Sequence, residues 1–237
     1  ICLIYSNSTF AQLFEDFEGV TFPPSGWVVT DNGIGTVQSW VRNTTFPNNW
    51  TIGVGSASSN RETGALGLAQ DWLITSQVNV PANGQLRFFA RSVSNGIQGS
   101  IYKVLLSTTT QNISAFTTTL ATFTELDIAN GAMQQLFVSL DAYTEQNVYL
   151  AFVHEVNNGL GDRWILDNVE VESECVYPSN VTSSNIGMDR VTLDWVENGN
   201  ATQWEVKLIK ELDGSVVIPA HVVTTKPVTL TGLQPNV

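Results

Sequence analysis

The sequence predicts an all-β chain built as two successive units, and three observations carry that reading. Apolar side chains recur in short runs bounded by Gly, Asn, Pro and Ser, the punctuation of strands and turns. No stretch keeps the 3.6-residue apolar period of an amphipathic helix. Charged residues make up only 14% of the chain and the polar remainder is rich in Thr, Ser, Asn and Gly, whereas an average soluble domain carries about 25% charge.

Residues 1–12 run Ile1-Cys2-Leu3-Ile4-Tyr5-Ser6-Asn7-Ser8-Thr9-Phe10-Ala11-Gln12. An apolar run leading into small residues, with Ser8 or Thr9 and then Ala11 spaced as around a cleavage point, is read as the remnant of a signal peptide. The cysteines are Cys2 and Cys175. With Cys2 removed alongside the signal, Cys175 is unpaired in an exported protein, and its disulfide partner is expected outside this stretch of chain.

The clearest strands are residues 85–91, 100–106, 135–140 and 148–154. In the last, Val148, Leu150, Phe152 and His154 share one face and Tyr149, Ala151 and Val153 the other. Both faces are largely apolar, so this strand is predicted to be central. Asn83-Gly84 and Asn95-Gly96 carry tight-turn chemistry. Residues 53–67, rich in Gly and Ser, are predicted as a long loop crossing the sandwich.

Around Val171 to Asn180 the pattern stops and restarts, which places one domain over residues 13–174 and a second over 175–237. The second has predicted strands at 190–196 and 203–209, with a turn at Asp213-Gly214. Val191, Leu193 and Trp195 point to one side, as do Trp204, Val206 and Leu208.

Twenty-two acidic against 10 basic side chains leave a formal charge of −12, which excludes nucleic acid as a partner because phosphate binding needs clustered Lys and Arg. No run approaches the roughly 20 apolar residues of a membrane span. Neither His154 nor His221 lies beside a Gly-x-Ser-x-Gly elbow, and zinc-ligand spacing is missing. The expectation is a non-catalytic chain in which His154 is a satisfied core or edge residue, although composition leaves paired carboxylates for glycoside hydrolysis open.

Several phrases in order carry a resemblance: Phe17-Glu18-Gly19, Pro23-Pro24-Ser25-Gly26-Trp27, Ser39-Trp40, Asp71-Trp72-Leu73-Ile74-Thr75, Leu86 to Ser92, Tyr102 to Thr108, Val148 to His154 and Ile165-Leu166-Asp167-Asn168-Val169. Through them residues 13–172 resemble the cleaved adhesin or choice-of-anchor J family, found beside gingipain-type proteases. The resemblance implies a jelly-roll β-sandwich of the galactose-binding-like kind, secreted or displayed at the cell surface. The family often carries two acidic residues in the last strand, and here Asn168 occupies the second position. The second unit resembles a fibronectin type III domain through Cys175, Pro178-Ser179-Asn180-Val181, Trp195, Trp204-Glu205-Val206 and Leu230-Thr231-Gly232-Leu233-Gln234-Pro235. In that family the final phrase precedes two further strands, so the unit is expected to be partial, and a late cysteine beyond it is the implied mate of Cys175. Relatives often carry a type IX secretion signal.

Two candidate sites follow. Asp167 shares the apolar parity of Ile165, Val169 and Val171, where a carboxylate must be paired, hydrogen-bonded or metal-bound to offset its desolvation. First and last strands of a jelly roll commonly lie side by side, which would bring Asp16 and Glu18 towards it. The family resemblance supports a structural calcium held in this region; hydrogen bonding of Asp167 to nearby backbone is the alternative. For ligands, Trp40, Trp50 and Arg61 lie in or near long polar loops and are the binding candidates, whereas Trp27, Trp72 and Trp164 adjoin apolar strands and are assigned to the core. The six Asn-x-Ser/Thr sequons, at Asn7, Asn43, Asn49, Asn112, Asn180 and Asn200, are read as composition. The expected function is adhesion or binding of a glycan or an extracellular protein. The competing reading is an accessory region of an exported protease or glycosidase, and a third is a structural module without a ligand.

Overall fold

The computed structural model describes residues 2–6 (backbone), 12–35, 39–46, 51–62, 67–128, 130–157, 159–174, 178–198, 201–210, 212–213 and 215–233. The strands, in chain order, are β1 (Cys2–Ser6), β2 (Leu13–Glu15), β3 (Val28–Asp31), β4 (Val41–Asn43), β5 (Ser56–Ser59), β6 (Leu68–Ile74), β7 (Val78–Asn79), β8 (Gly84–Arg91) and β9 (Ser100–Ser107). They continue as β10 (Thr118–Phe123), β11 (Gln134–Ser139), β12 (Asn147–Asn157), β13 (Trp164–Ser173), β14 (Ser179–Ser184), β15 (Arg190–Val196), β16 (Trp204–Ile209), β17 (Val216–Val223) and β18 (Val228–Thr231). Among the described residues no helix is long and apolar enough to cross a membrane. Two compact units result, Ala11–Glu172 and a second made of Ile1–Phe10 with Ser173–Val237.

The first unit is a sandwich of two sheets, one ordered β10-β9-β12-β6-β3 with β7 on β12, the other β11-β8-β13-β5-β4 with β2 on β13. Strict alternation makes the inner faces: Leu86, Phe88 and Ala90 of β8 are buried, as are Tyr102, Val104 and Leu106 of β9. β12 is the central strand that its two apolar faces predict. Val148, Leu150 and Phe152 join the main core with Trp164 and Leu166, while Ala151 and Val153 pack on the other face with Trp72, Ile74 and Phe116. Aromatic edges lock the centre, with Phe152 at 5.2 Å from Phe88 and 5.9 Å from Trp164, contacts worth about 0.5–1.5 kcal/mol each beyond their buried area. Across β8 and β13, Arg87 bridges Glu170 and Glu172.

The 53–67 segment departs from the predicted loop. Ser56–Ser59 form β5, which pairs with β13 through Ala57 opposite Leu166 and Trp164 opposite Ser59. All four of its residues are buried, and only small side chains fit there.

The second unit also has two sheets, β14-β15-β18 and β1-β16-β17. Leu193 and Trp195 meet Trp204, Val206 and Leu230 in its core, with the two indoles edge to face at 5.4 Å. In the segment read from sequence as a signal remnant, Cys2–Ser6 lie extended and pair antiparallel with β16, Cys2 opposite Leu208 and Ser6 opposite Trp204, using the N–H and C=O groups that an edge strand leaves open.

Candidate functional site

β2 pairs with β13, Glu15 opposite Val169 and Leu13 opposite Val171, so the first and last strands of the jelly roll do lie side by side. The turn after β2 thereby carries Asp16 and Glu18 towards Asp167. Asp167 is fully buried; its Oδ2 accepts the Ile52 N–H and its Oδ1 the Asn168 N–H, each at 2.8 Å. Burial pushes its pKa up to about 7 against the pull of those two N–H groups, and the negative charges of Glu18 and Asp16 push the same way. Glu18 Oε1 accepts from Val54 and Gly55 at 2.7 and 2.9 Å, which holds that carboxyl below its usual range. Asp16 Oδ1 accepts the Glu18 N–H at 3.0 Å. The Arg42 guanidinium donates to the Phe17 and Glu18 carbonyls at 2.6 and 3.0 Å. Gly55 is required in this corner, because a Cβ there would lie 2.1 Å from Phe17 O. The donors are all hard oxygens of the kind calcium takes; among the described residues no group of three acidic, His or Cys side chains is arranged as a metal site.

A second region lies at the sandwich end where β5, β8 and β12 finish and β13 begins. Asn60, Arg61, Val93, Ser94, Asp162 and Arg163 line a cleft of about 300 Å³. Asp162 is its anchor: the carboxylate accepts from Val93 N–H at 2.7 Å, Ser94 N–H at 2.5 Å and Ser94 Oγ at 3.1 Å. Its own N–H donates to Ser100 Oγ at 2.7 Å. That close approach requires Gly161, whose φ is +113° and where a Cβ would lie 2.7 Å from the same hydroxyl. Arg163 donates from Nε to Asn60 Oδ1, with its guanidinium 5.1 Å from the Phe46 ring centre. Arg61 is exposed.

Beneath the cleft runs a buried polar chain. His154 is fully buried, with Nδ1 3.0 Å from Ser59 Oγ and Nε2 3.1 Å from Ser100 Oγ, and its ring stacks on Tyr102 at 5.2 Å. Ser59 Oγ donates to Asp71 Oδ2 at 3.2 Å and Ser100 Oγ to the Asp162 carbonyl at 3.3 Å, so the histidine links two hydroxyls that are each tied to an aspartate. Burial drives the His154 pKa down to about 3, with Asp162 opposing, and the imidazole is neutral. It is the satisfied core histidine that the sequence suggested.

Of the ligand-binding candidates, Arg61 lines the cleft. Trp40 is corrected: it is 2% exposed, its Nε1 donates to Asp71 O at 3.1 Å and its ring meets Trp164 edge to face at 5.2 Å. The residue belongs to the core and presents no face to a ligand. Trp50 and Cys175 lie outside the described residues. Trp27, Trp72 and Trp164 are buried as expected. Sequence reasoning missed Asn60, Ser94, Asp162 and Arg163; the available signal was Gly159-Leu160-Gly161-Asp162-Arg163, an acid and a base delivered by a glycine-rich turn between two strands.

Residues 10–171 match the family model for the Cleaved Adhesin Domain. The chain belongs to the cleaved adhesin domain family. Hemagglutinin A of Porphyromonas gingivalis is 31% identical to it over 182 residues, 68% of this chain and 7% of that protein, so the chain spans a small part of this relative. Two solved cleaved adhesin domains of Lys-gingipain from P. gingivalis W83 share the fold. The K1 domain matches with a TM-score of 0.54 and the K3 domain with 0.51, each at 23% identity over 68% of this chain and 98% of the domain. In this cleaved adhesin domain the matched region coincides with the jelly roll that carries both the carboxylate corner and the cleft.

Proposed function

We propose that this cleaved adhesin domain is a non-catalytic adhesion module of an exported, secreted or surface-displayed protein, and that it binds a glycan through the cleft of Asn60, Arg61, Ser94 and Arg163. The observation that carries this reading is the cleft's construction: Asp162 spends its carboxylate on the 93–94 backbone, which fixes the wall, while polar side chains of the neighbouring loops line the opening. A pre-formed concave site with a few placed polar groups is what a small-ligand module presents. Its non-catalytic character is supported by His154, whose two ring nitrogens are occupied by buried serines and which has no route to a substrate proton. The test is a screen of the labelled chain on arrayed glycans and, in parallel, on extracellular matrix proteins. Reproducible glycan binding competed by free sugar supports the reading; binding to matrix proteins alone moves it to a protein adhesin, and silence on both overturns it.

A second reading, an accessory region of an exported enzyme, is favoured by one observation: the similar K1 and K3 domains are parts of Lys-gingipain. A calcium ion is also part of the proposal, with Asp16, Glu18 and Asp167 as the residues that would hold it. Bound there, it would supply a positive charge against three carboxylates, one of them fully buried.

A further inference from the structure

We propose that the cleft selects carboxylated glycans, sugars of the uronic or sialic acid class, over neutral ones. This rests on the reading of the cleft as a glycan site and names its substrate class. The cations of the first unit are nearly all engaged. The first unit contains Arg42, Arg61, Arg87, Arg91, Lys103 and Arg163 as its only basic side chains apart from histidine. Arg42 is taken by the Phe17 and Glu18 carbonyls, Arg87 by Glu170 and Glu172, Arg91 by Ser92 O and Asn130 O, Lys103 by Glu155 and Arg163 by Asn60. Of these six, Arg61 alone has no side-chain hydrogen bond or ion pair among the described residues, and in a chain of net charge −12 this cation stands exposed in the cleft wall. A guanidinium without an internal partner is the group best shaped for a ligand carboxylate.

The local charge balance is positive. Arg61 and Arg163 face one carboxylate, Asp162, and that carboxylate is already engaged by two backbone N–H groups and the Ser94 hydroxyl. Glu62, next along the chain, is 1% exposed and sits close enough to Asp71 to raise its pKa. The opening therefore offers an anion more than a neutral ligand would use.

The shape of the cleft suits a sugar better than an acidic peptide. The lining comes from loop residues at the ends of β5, β8 and β13, which gives a peptide no ladder to extend, and about 300 Å³ is the lower end of the small-ligand range. The flanking loops, tied together by Gly161 N–H to Gln98 O at 2.8 Å, carry Ile97 and Leu160 at 67% and 62% exposure. These aliphatics offer a surface for the C–H face of a sugar ring or for an N-acyl methyl.

The experiment is calorimetric titration of the whole 237-residue chain with matched pairs, 3′-sialyllactose against lactose and glucuronate against glucose, in wild type, Arg61→Gln and Arg61→Lys. The expected result is binding of at least one acidic member, absent or about tenfold weaker for its neutral partner, and a further loss of about tenfold in Arg61→Gln with partial recovery in Arg61→Lys, the size of a lost hydrogen bond to a charged group. Equal affinity for acidic and neutral sugars, or an unchanged affinity in Arg61→Gln, overturns the carboxylate selectivity while leaving the glycan site standing. No binding of any of the four sugars overturns the selectivity, and whether the glycan reading falls with it is then read from the array screen. Circular dichroism melts of both variants confirm the fold, which an exposed side chain with no partner does not support.

Discussion

Asp162 holds the Val93 backbone in place: its Oδ2 accepts the Val93 N–H at 2.7 Å and the Ser94 N–H at 2.5 Å, joining residues 69 and 68 positions apart in sequence. One largely buried carboxylate thus spans the end of the sandwich and sets the width of the cleft. Asp162→Ala leaves three donors without that acceptor, and each costs about 1–3 kcal/mol if it stays buried. The expected result in urea denaturation is a loss of about 2–5 kcal/mol; a change within about 0.5 kcal/mol, typical of a surface position, would contradict the anchoring role.

The corner near Glu18 makes a sharper steric prediction. Gly55→Ala places a Cβ 2.1 Å from Phe17 O, a main-chain atom that cannot rotate away, and the expected cost is about 2–4 kcal/mol. Gly19→Ala, where nothing lies within 4 Å, is the control and is expected to be neutral within about 0.5 kcal/mol. Equal midpoints for the two variants would show that the backbone relaxes around Gly55.

Two buried groups oppose each other in their pH response. Asp71 is raised from 3.8 to about 7, first by burial, then by Glu62 and Asp31 against the Ser59 hydrogen bond. An acid with its folded pKa above the unfolded one favours the fold while protonated, so its contribution is full below about pH 4 and is lost as pH rises towards 7. His154, lowered from 6.5 to about 3, contributes above its unfolded pKa and loses that contribution as pH falls below it. Asp71→Asn should therefore gain on wild type as pH rises from 4 to 7, and His154→Gln should gain on it as pH falls from 6.5 to 4. Urea midpoints across that range check both; curves that run parallel to wild type would refute the assignment.

Calcium gives a third handle on stability. If Asp16, Glu18 and Asp167 hold the ion, an excess of a hundredfold over Kd adds about 2.7 kcal/mol, and each kcal/mol moves Tm by about 2–4 °C in a domain of this size. The expected result is a higher Tm in millimolar calcium than in chelator, with the difference abolished in Asp167→Asn. Identical melts in the two buffers would remove calcium from the account.

The strands were legible where side chains alternate between a core and a polar face. Residues 190–196 coincide with β15 and 85–91 fall within β8, because Val191, Leu193 and Trp195, or Leu86 and Phe88, announce a buried side by parity. β5 was not legible: Ser56-Ala57-Ser58-Ser59 has neither alternation nor β-branched residues, and only its pairing between β13 and β4 makes it a strand. Asp167 was readable as a buried carboxylate from its place among Ile165, Val169 and Val171, and so was its approach to the turn after β2. The cleft was not, since Asn60, Ser94 and Asp162 come from loops that only the closed sandwich brings together. Trp40 shows the limit from the other side, because an indole in a polar loop looks the same in sequence whether it faces solvent or, as here, donates to Asp71 O inside the core.

The claim on which the rest depends is that ligand binds in the cleft of Asn60, Arg61, Ser94 and Arg163. It is tested most directly by following backbone amide resonances of the isotope-labelled chain while 3′-sialyllactose is added. The account predicts shifts concentrated at residues 60–61, 93–94 and 162–163, with the amides around Gln111 to Ser114, which border a separate surface hollow, unmoved. Shifts confined to that second hollow, or none at millimolar sugar, would contradict it.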